Sequence, residues 1–79
     1  MYFVYVLNSD KDNKRYIGFT ENLDKRVVEH NSGLVKSTKN RRPFKLTYFE
    51  EYVGKEKALK REKFFKSGLG RSYLKNISK

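Results

Sequence analysis

Tyr5 is followed after ten residues by Tyr16-Ile17-Gly18, after seven more by Arg26, and after three more by His30. These side chains can hold an anion and move a proton. A guanidinium binds carboxylates and phosphates through paired N–H donors. Imidazole exchanges a proton near neutral pH, and a phenol does so only when something lowers its pKa from about 10. Each also has a purely structural use: tyrosines in strands provide packing area, a helix-end histidine is helped by the negative end of the helix dipole, and an arginine pairs with a surface acid.

The elements that must position them can be read from composition and period. Tyr2-Phe3-Val4-Tyr5-Val6-Leu7 is an unbroken apolar and aromatic run of strand length. Being apolar on both faces, it has the character of a central strand covered on both sides. The polar cluster Asn8–Lys14 provides turn residues before Arg15-Tyr16-Ile17-Gly18-Phe19 resumes strand composition, so a hairpin is expected with strands near residues 2–8 and 15–20. If Tyr5 and Tyr16 lie opposite one another, two phenols sit side by side on one face. Gly18 is then a bulge, a close backbone approach, or room for a phosphate beside Tyr16. The period next becomes helical over Asn22–Asn31, with Asn22 as N-cap and Gly33 past the end. Leu23, Arg26, Val27 and His30 form one stripe, which sets Arg26 and His30 at the border of the buried face and argues against a surface pairing of Arg26 with Glu29 or Asp24. A guanidinium there requires a partner, either an acid of this chain or an anion brought by a ligand.

This pattern resembles the signature of the GIY-YIG endonuclease superfamily, in which tripeptides on two paired strands precede a helix carrying a catalytic arginine. The second tripeptide is Tyr16-Ile17-Gly18; the first is Phe3-Val4-Tyr5, which keeps the tyrosine and lacks the leading glycine. The likeness extends through Asn22-Leu23 and Arg26, spans nearly the whole chain, and is nearest to the small stand-alone bacterial branch, akin to the catalytic domain of the excision-repair nuclease. It implies divalent-metal-dependent hydrolysis of DNA phosphodiesters, with Mg2+ or Mn2+ on Glu62. Arg26 would neutralise the scissile phosphate, and Tyr16, with Tyr5 beside it, would orient or deprotonate the attacking water. His30 stands where other branches have a tyrosine and is an alternative base. Phe19 replaces the lysine that follows the second tripeptide in the excision-repair branch, so a lysine that activates Tyr16 must come from elsewhere.

Composition limits the remaining possibilities. A chain of 79 residues forms one domain with a small core, burying about 60% of its unfolded surface. Without cysteine it has neither disulfide nor thiolate metal site. No apolar run approaches the roughly 20 residues that span a bilayer, and Met1-Tyr2-Phe3 lacks the pattern of a secretory signal, so the expected location is cytoplasmic. The net charge of +10 is uneven: residues 1–33 carry five Lys/Arg and five Asp/Glu, residues 34–79 fourteen and four. A polyanion partner is implied, DNA first and RNA as the alternative, with no membrane and no small-molecule cofactor, in a monomer or weak oligomer.

The second half reads as a loop, Ser32–Lys45, in which Lys36, Lys39, Arg41, Arg42 and Lys45 meet no acid in sequence and Phe44 offers a ring to stack or anchor. Strand 3 is expected at Leu46–Tyr52, with Glu50 and Glu51 as edge charges, and helix 2 at about Lys55–Ser67 with Gly68 as its stop. Ala58, Glu62 and Phe65 share a stripe of that helix, which aims Glu62 at the apolar side; an ion pair with Arg61, Lys66 or Arg26 is the structural alternative to a metal. Gly68–Arg71 reads as a turn into helix 3 at about Ser72–Ile77. The expected fold is α+β: a three-stranded antiparallel sheet of order 2-1-3 with three helices, its site at one sheet face.

Overall fold

In the computed structural model, which describes residues 1–77, the chain forms β1 (Tyr2–Ser9), β2 (Arg15–Thr20), α1 (Leu23–Asn31), β3 (Phe44–Tyr52), α2 (Lys55–Phe65) and α3 (Gly68–Ile77), with a short 3₁₀ turn at Lys39–Arg41. The sheet is antiparallel with the expected order β2-β1-β3. The apolar run of β1 takes the middle because both of its faces are covered. On one face Val4 and Val6 pack with Ala58, Phe65 and Leu74 of α2 and α3; on the other Tyr5 and Leu7 pack with Leu23 of α1 and with Phe44. Two small cores thus share one strand. Fully burying each such aliphatic or aromatic side chain contributes about 1.5–3 kcal/mol, and both layers are needed in so short a chain.

α1 begins as the sequence predicts, with the Asn22 side chain accepting a hydrogen bond from the Lys25 backbone N–H at 3.2 Å. Gly33 follows at φ +82°, a left-handed conformation that glycine adopts without penalty. β3 starts two residues earlier than expected. Asn31 explains this: its side chain brackets the Phe44 backbone, accepting from the N–H at 2.7 Å and donating to the carbonyl at 3.1 Å, which extends the strand back to Phe44. The register of β3 on β1 shifts between Val6 and Leu7, where Thr47 falls between the partners Tyr48 and Leu46 and donates its hydroxyl to the Val6 carbonyl.

Residues Gly68–Arg71, read from sequence as a turn, are instead the first turn of α3. α2 ends at Phe65, and Ser67 starts the next helix by accepting the Gly70 N–H on its hydroxyl at 3.2 Å. Two glycines at the start of a helix look like a break in sequence because helix propensity disfavours them; tertiary packing reverses that preference at Gly70. A Cβ at Gly70 would lie 1.8 Å from the Phe64 carbonyl oxygen and 2.5 Å from the Phe65 Cα, both backbone atoms. At Gly68 nothing lies within 4 Å.

Gly70→Ala is therefore expected to force α3 away from α2 at a cost of about 1–3 kcal/mol or more, lowering the melting temperature by roughly 5–15 °C. Gly68→Ala, at an unobstructed helical position, is expected to leave it unchanged or raise it by a few degrees. Thermal denaturation of both variants beside the parent checks the contrast.

Candidate active site

The site is built on the face of the sheet that carries Tyr5. The sequence expectation that Tyr5 and Tyr16 lie directly opposite is corrected by two residues of register: Tyr5 pairs with Gly18, and Tyr16 with Leu7. The phenols still share a face, because positions two apart on a strand point the same way, and they meet diagonally with ring centroids 6.5 Å apart. The diagonal defines the role of Gly18. A Cβ there would lie 2.2 Å from the Tyr5 hydroxyl oxygen, so the space cleared by Gly18 is filled by the Tyr5 phenol and not held open for a phosphate.

Laid across Gly18, the Tyr5 ring is 1% exposed and its hydroxyl meets His30 Nε2 at 2.8 Å. The other nitrogen, Nδ1, is 2.8 Å from the Thr38 hydroxyl, which in turn reaches the Val35 carbonyl at 3.4 Å. These partners are satisfied together when Tyr5 donates to Nε2, Nδ1–H donates to Thr38, and Thr38 donates to Val35. His30 and Thr38 are fully buried, and neither His30 nitrogen is open to solvent. Burial, followed by the positive charge of Arg26, holds the His30 pKa down at about 4, so the ring is neutral at pH 7. The Arg26 guanidinium lies close enough to the Tyr5 hydroxyl for each to act on the titration of the other. Burial raises the Tyr5 pKa, and neighbouring Tyr16 and Glu62 add to the effect against the opposing action of Arg26, so Tyr5 stays protonated.

Arg26 finds its partner in Glu29, at 3.1 Å, the ion pair that its place at the apolar border argues against. With its side chain 35% exposed, it borders a shallow cleft of about 320 Å³ together with Thr20, Asn22 and Lys25. Tyr16 is half-buried, with its ring 4.9 Å from that of His30, and its hydroxyl makes no hydrogen bond among the described residues. Glu62 stands on α2, its side chain 20% exposed, near enough to act electrostatically on the Tyr5 phenol. Of the three structural partners considered for it, the one present is Lys66, at 3.1 Å. Among the described residues no three His, Cys, Asp or Glu side chains converge as a metal-binding group.

The loop of cations differs from its sequence reading in two respects. Arg41 and Lys45 do meet acids, because the hairpin turn folds against the loop: Arg41 Nε lies 2.7 Å from Asp12 Oδ2, and Lys45 Nζ lies 3.9 Å from Asp10 Oδ1. The Arg41 hydrogen bond is the main reason that Asp12 has its pKa lowered to about 2. Arg42 turns its Nε–H to the Lys39 carbonyl, while Lys36 and Lys39 are exposed. Phe44, expected to stack or anchor a ligand, is 4% exposed and packs in the core against His30 and under the Arg41 guanidinium.

Thr38 was not singled out in sequence, nor was Ser9, whose buried hydroxyl donates to the Arg41 carbonyl at 2.6 Å and accepts the backbone N–H groups of Lys11 and Asp12. Both fix the loop that closes over His30, and nothing in their spacing marks them. Glu50 was mistaken for an edge charge. On the opposite sheet face it accepts from Tyr48, from Tyr52 at 2.6 Å, and from Arg61 at 2.8 Å. Burial raises its pKa, but these donors together outweigh burial and hold the carboxyl below its usual range. The signal was available: Tyr48, Glu50 and Tyr52 alternate onto one face of β3.

Because the folded-state pKa of His30 is depressed below its unfolded value of about 6.5, the folded state resists the proton that the unfolded chain accepts. The corresponding stability is fully present above pH 6.5 and is lost as pH falls from 6.5 toward 4, by up to roughly 3 kcal/mol. The parent is expected to lose melting temperature over that window, and His30→Gln, which has no group titrating there, is expected to show a flatter profile from a lower starting point. Melting curves between pH 7.5 and 4.5 check both.

The GIY-YIG catalytic domain family model matches residues 1–75. The UPF0213 protein CPE1444 of Clostridium perfringens is 42% identical over 79 residues, spanning 99% of this chain and 84% of that protein. The UPF0213 protein YazA of Bacillus subtilis is 44% identical over 66 residues, spanning 82% of this chain and 66% of that protein. Among solved structures, the solution NMR structure of the UPF0213 protein BH0048 from Bacillus halodurans matches with a TM-score of 0.60 at 32% identity, covering 98% of this chain and 85% of that one. By its family match, its relatives and its sheet of order β2-β1-β3, the chain belongs to the GIY-YIG catalytic-domain family, beside the small bacterial UPF0213 proteins.

Proposed function

We propose that the protein is an endonuclease that hydrolyses DNA phosphodiesters with a divalent metal ion. The observation that carries this reading is the buried chain Tyr5–His30–Thr38, with the Arg26 guanidinium acting on the Tyr5 phenol from one side and the half-buried Tyr16 ring packed against Tyr5 and His30, its hydroxyl without a hydrogen bond among the described residues. The nuclease family supplies the substrate class, and the charge of +10 suits a phosphate backbone.

Glu62 fits a hard divalent ion by the chemistry of its donor set. It is a single carboxylate whose present partner, Lys66, is an exposed and replaceable ammonium. With no converging group of acids among the described residues, the other positions would fall to phosphate oxygens and water, an arrangement that Mg2+ accepts and Mn2+ tolerates. Bound at Glu62, the ion supplies Lewis-acid polarisation of a phosphate oxygen and lowers the pKa of a bound water.

The residues of the chain carry the remaining work. Arg26 offers N–H donors to the scissile phosphate, where a held positive charge stabilises the charge that develops on the phosphoryl oxygens. Tyr5 keeps its proton and spends it on His30, so its role is to hold the two strands and α1 together beneath Arg26 and Tyr16. His30, neutral and enclosed, holds Tyr5 in place; burial and its low pKa make it a poor acceptor of a proton from water. Tyr16 then takes the base role, orienting the attacking water or receiving its proton. In the second case the phenolate is the form that acts, and taking the proton of the water returns it to the phenol.

Tyr16→Phe removes one hydroxyl and keeps the ring against His30. Cleavage of duplex DNA in Mn2+ is expected to fall about 10²–10⁴-fold while the melting temperature stays within a few degrees. Cleavage at the parent rate would remove Tyr16 from the chemistry.

Glu62→Gln keeps the shape of the side chain and discards the charge. Cleavage and any stabilisation by Mn2+ are both expected to disappear, with DNA binding in the absence of metal unchanged or slightly stronger. Melting, with and without Mn2+, run beside the cleavage assay distinguishes this from a structural acid: loss of the half-exposed Lys66 pair alone costs no more than about 1 kcal/mol. A protein that binds DNA, cuts none and shows no response to Mn2+ would instead be a binding module on the same scaffold.

A further inference from the structure

A cleft of about 870 Å³ lies between the β1–β2 hairpin and the junction of α2 with α3. Four cations line it, Lys14 and Arg15 from the hairpin and Lys66 and Arg71 from the helices, and no acid does. The side chains of Lys14, Arg15 and Arg71 are exposed and form no ion pair among the described residues, unlike Arg41 and Lys45 of the loop. Two residues join the cleft to the candidate active site. Tyr16 forms part of its wall, and Lys66 lines it while pairing with Glu62. The floor and rim add Asn13 amide groups and other neutral polar atoms, so the cleft presents donors to an anion along its length.

We infer that this cleft seats the phosphodiester backbone of the DNA strand as it leaves the scissile phosphate, making Lys14, Arg15 and Arg71 the principal sequence-independent anchors of the substrate. The inference rests on the reading that the scissile phosphate sits between Tyr16 and Glu62, and it moves the binding surface away from the loop of residues 36–45. Successive phosphates of one strand are regularly spaced point charges, and a row of unpaired cations in an acid-free groove neutralises them with release of counterions. A base-reading role is not implied, because lysine and arginine heads at this spacing position a backbone without reading sequence. An incoming phosphate also competes for Lys66, which frees the Glu62 carboxylate as the substrate arrives.

The test is metal-free binding of a short fluorescein-labelled DNA duplex in EDTA, measured by anisotropy between about 50 and 200 mM salt. The parent is compared with Lys14→Ala/Arg15→Ala/Arg71→Ala and with a control of equal charge, Lys57→Ala/Lys60→Ala/Lys63→Ala, taken from residues of α2 that do not line the cleft. The cleft variant is expected to lose about 2–3 from the magnitude of the log–log salt slope, and the control less than about 1. The single changes Arg15→Ala and Arg71→Ala, each expected to lose about 1, provide the same reading should the triple variant melt early. Equal losses in cleft variant and control, or a parental slope in the single variants, overturn the inference. Cleavage by the parent in Mn2+ is scored separately: a parent that does not cut while the cleft variant loses its slope removes the nuclease reading and leaves the cleft, and a parent that cuts while the slopes coincide does the reverse.

Discussion

The hydrogen bond between the Tyr5 hydroxyl and His30 Nε2 joins the central strand to α1, and the rest of the site depends on it. It is made in a place closed to water, where an unmet hydroxyl or imidazole nitrogen would cost about 1–3 kcal/mol. Both partners are therefore constrained beyond their own contact. Tyr5 can reach His30 only by lying across β2, which requires a residue without Cβ at position 18. His30 can stay neutral and enclosed only if its second nitrogen has a partner, which requires Thr38 and so the folded-back loop.

That requirement explains why so much of the loop is tied to the hairpin. Ser9 holds the Arg41 carbonyl, Asp12 holds its guanidinium, and Lys11 reaches the Asn40 carbonyl at 2.9 Å. The loop cations that look available in sequence are in part the means by which Thr38 is brought over His30. Charge in this protein is thereby divided by use: Arg41 and Arg61 are structural, one clasping Asp12 and the other, partly exposed, paired with Glu50 over the rings of Phe64, Phe65 and Tyr73. Arg26 is shared, paired with Glu29 and acting on the Tyr5 phenol while its side chain stays partly exposed. Lys14, Arg15 and Arg71 are exposed and form no ion pair among the described residues.

The two faces of the sheet also divide the labour. The face under α2 and α3 holds the larger aromatic core and the Glu50–Arg61 cluster, whose donors are matched to one carboxylate and leave nothing unsatisfied. The face under α1 holds the smaller core and every polar group of the candidate site except Glu62. Glu62 comes from the other layer, so the site forms only when α2 is seated, and Gly70, which lets α3 approach α2 at backbone contact, contributes to it from a distance.

Much of this was legible in the sequence. An apolar run with no polar face can only be a central strand, so the order 2-1-3 followed from Tyr2–Leu7, and Asn22 and Gly33 bounded α1 because caps act through their own backbone and immediate neighbours. Tyr16-Ile17-Gly18 with Arg26 carried the family. What the sequence by itself could not determine was which polar groups satisfy one another, since that depends on register and on long-range approach. Two residues of register turned Gly18 from a space beside Tyr16 into the seat of Tyr5. Folding of the hairpin against the loop removed Arg41 from the free cations, and burial gave Phe44 to the core. Local propensity reads neighbours within a few residues, whereas Tyr5 and His30 are 25 residues apart and Ser9 and Arg41 are 32 apart; only the tertiary structure could pair them.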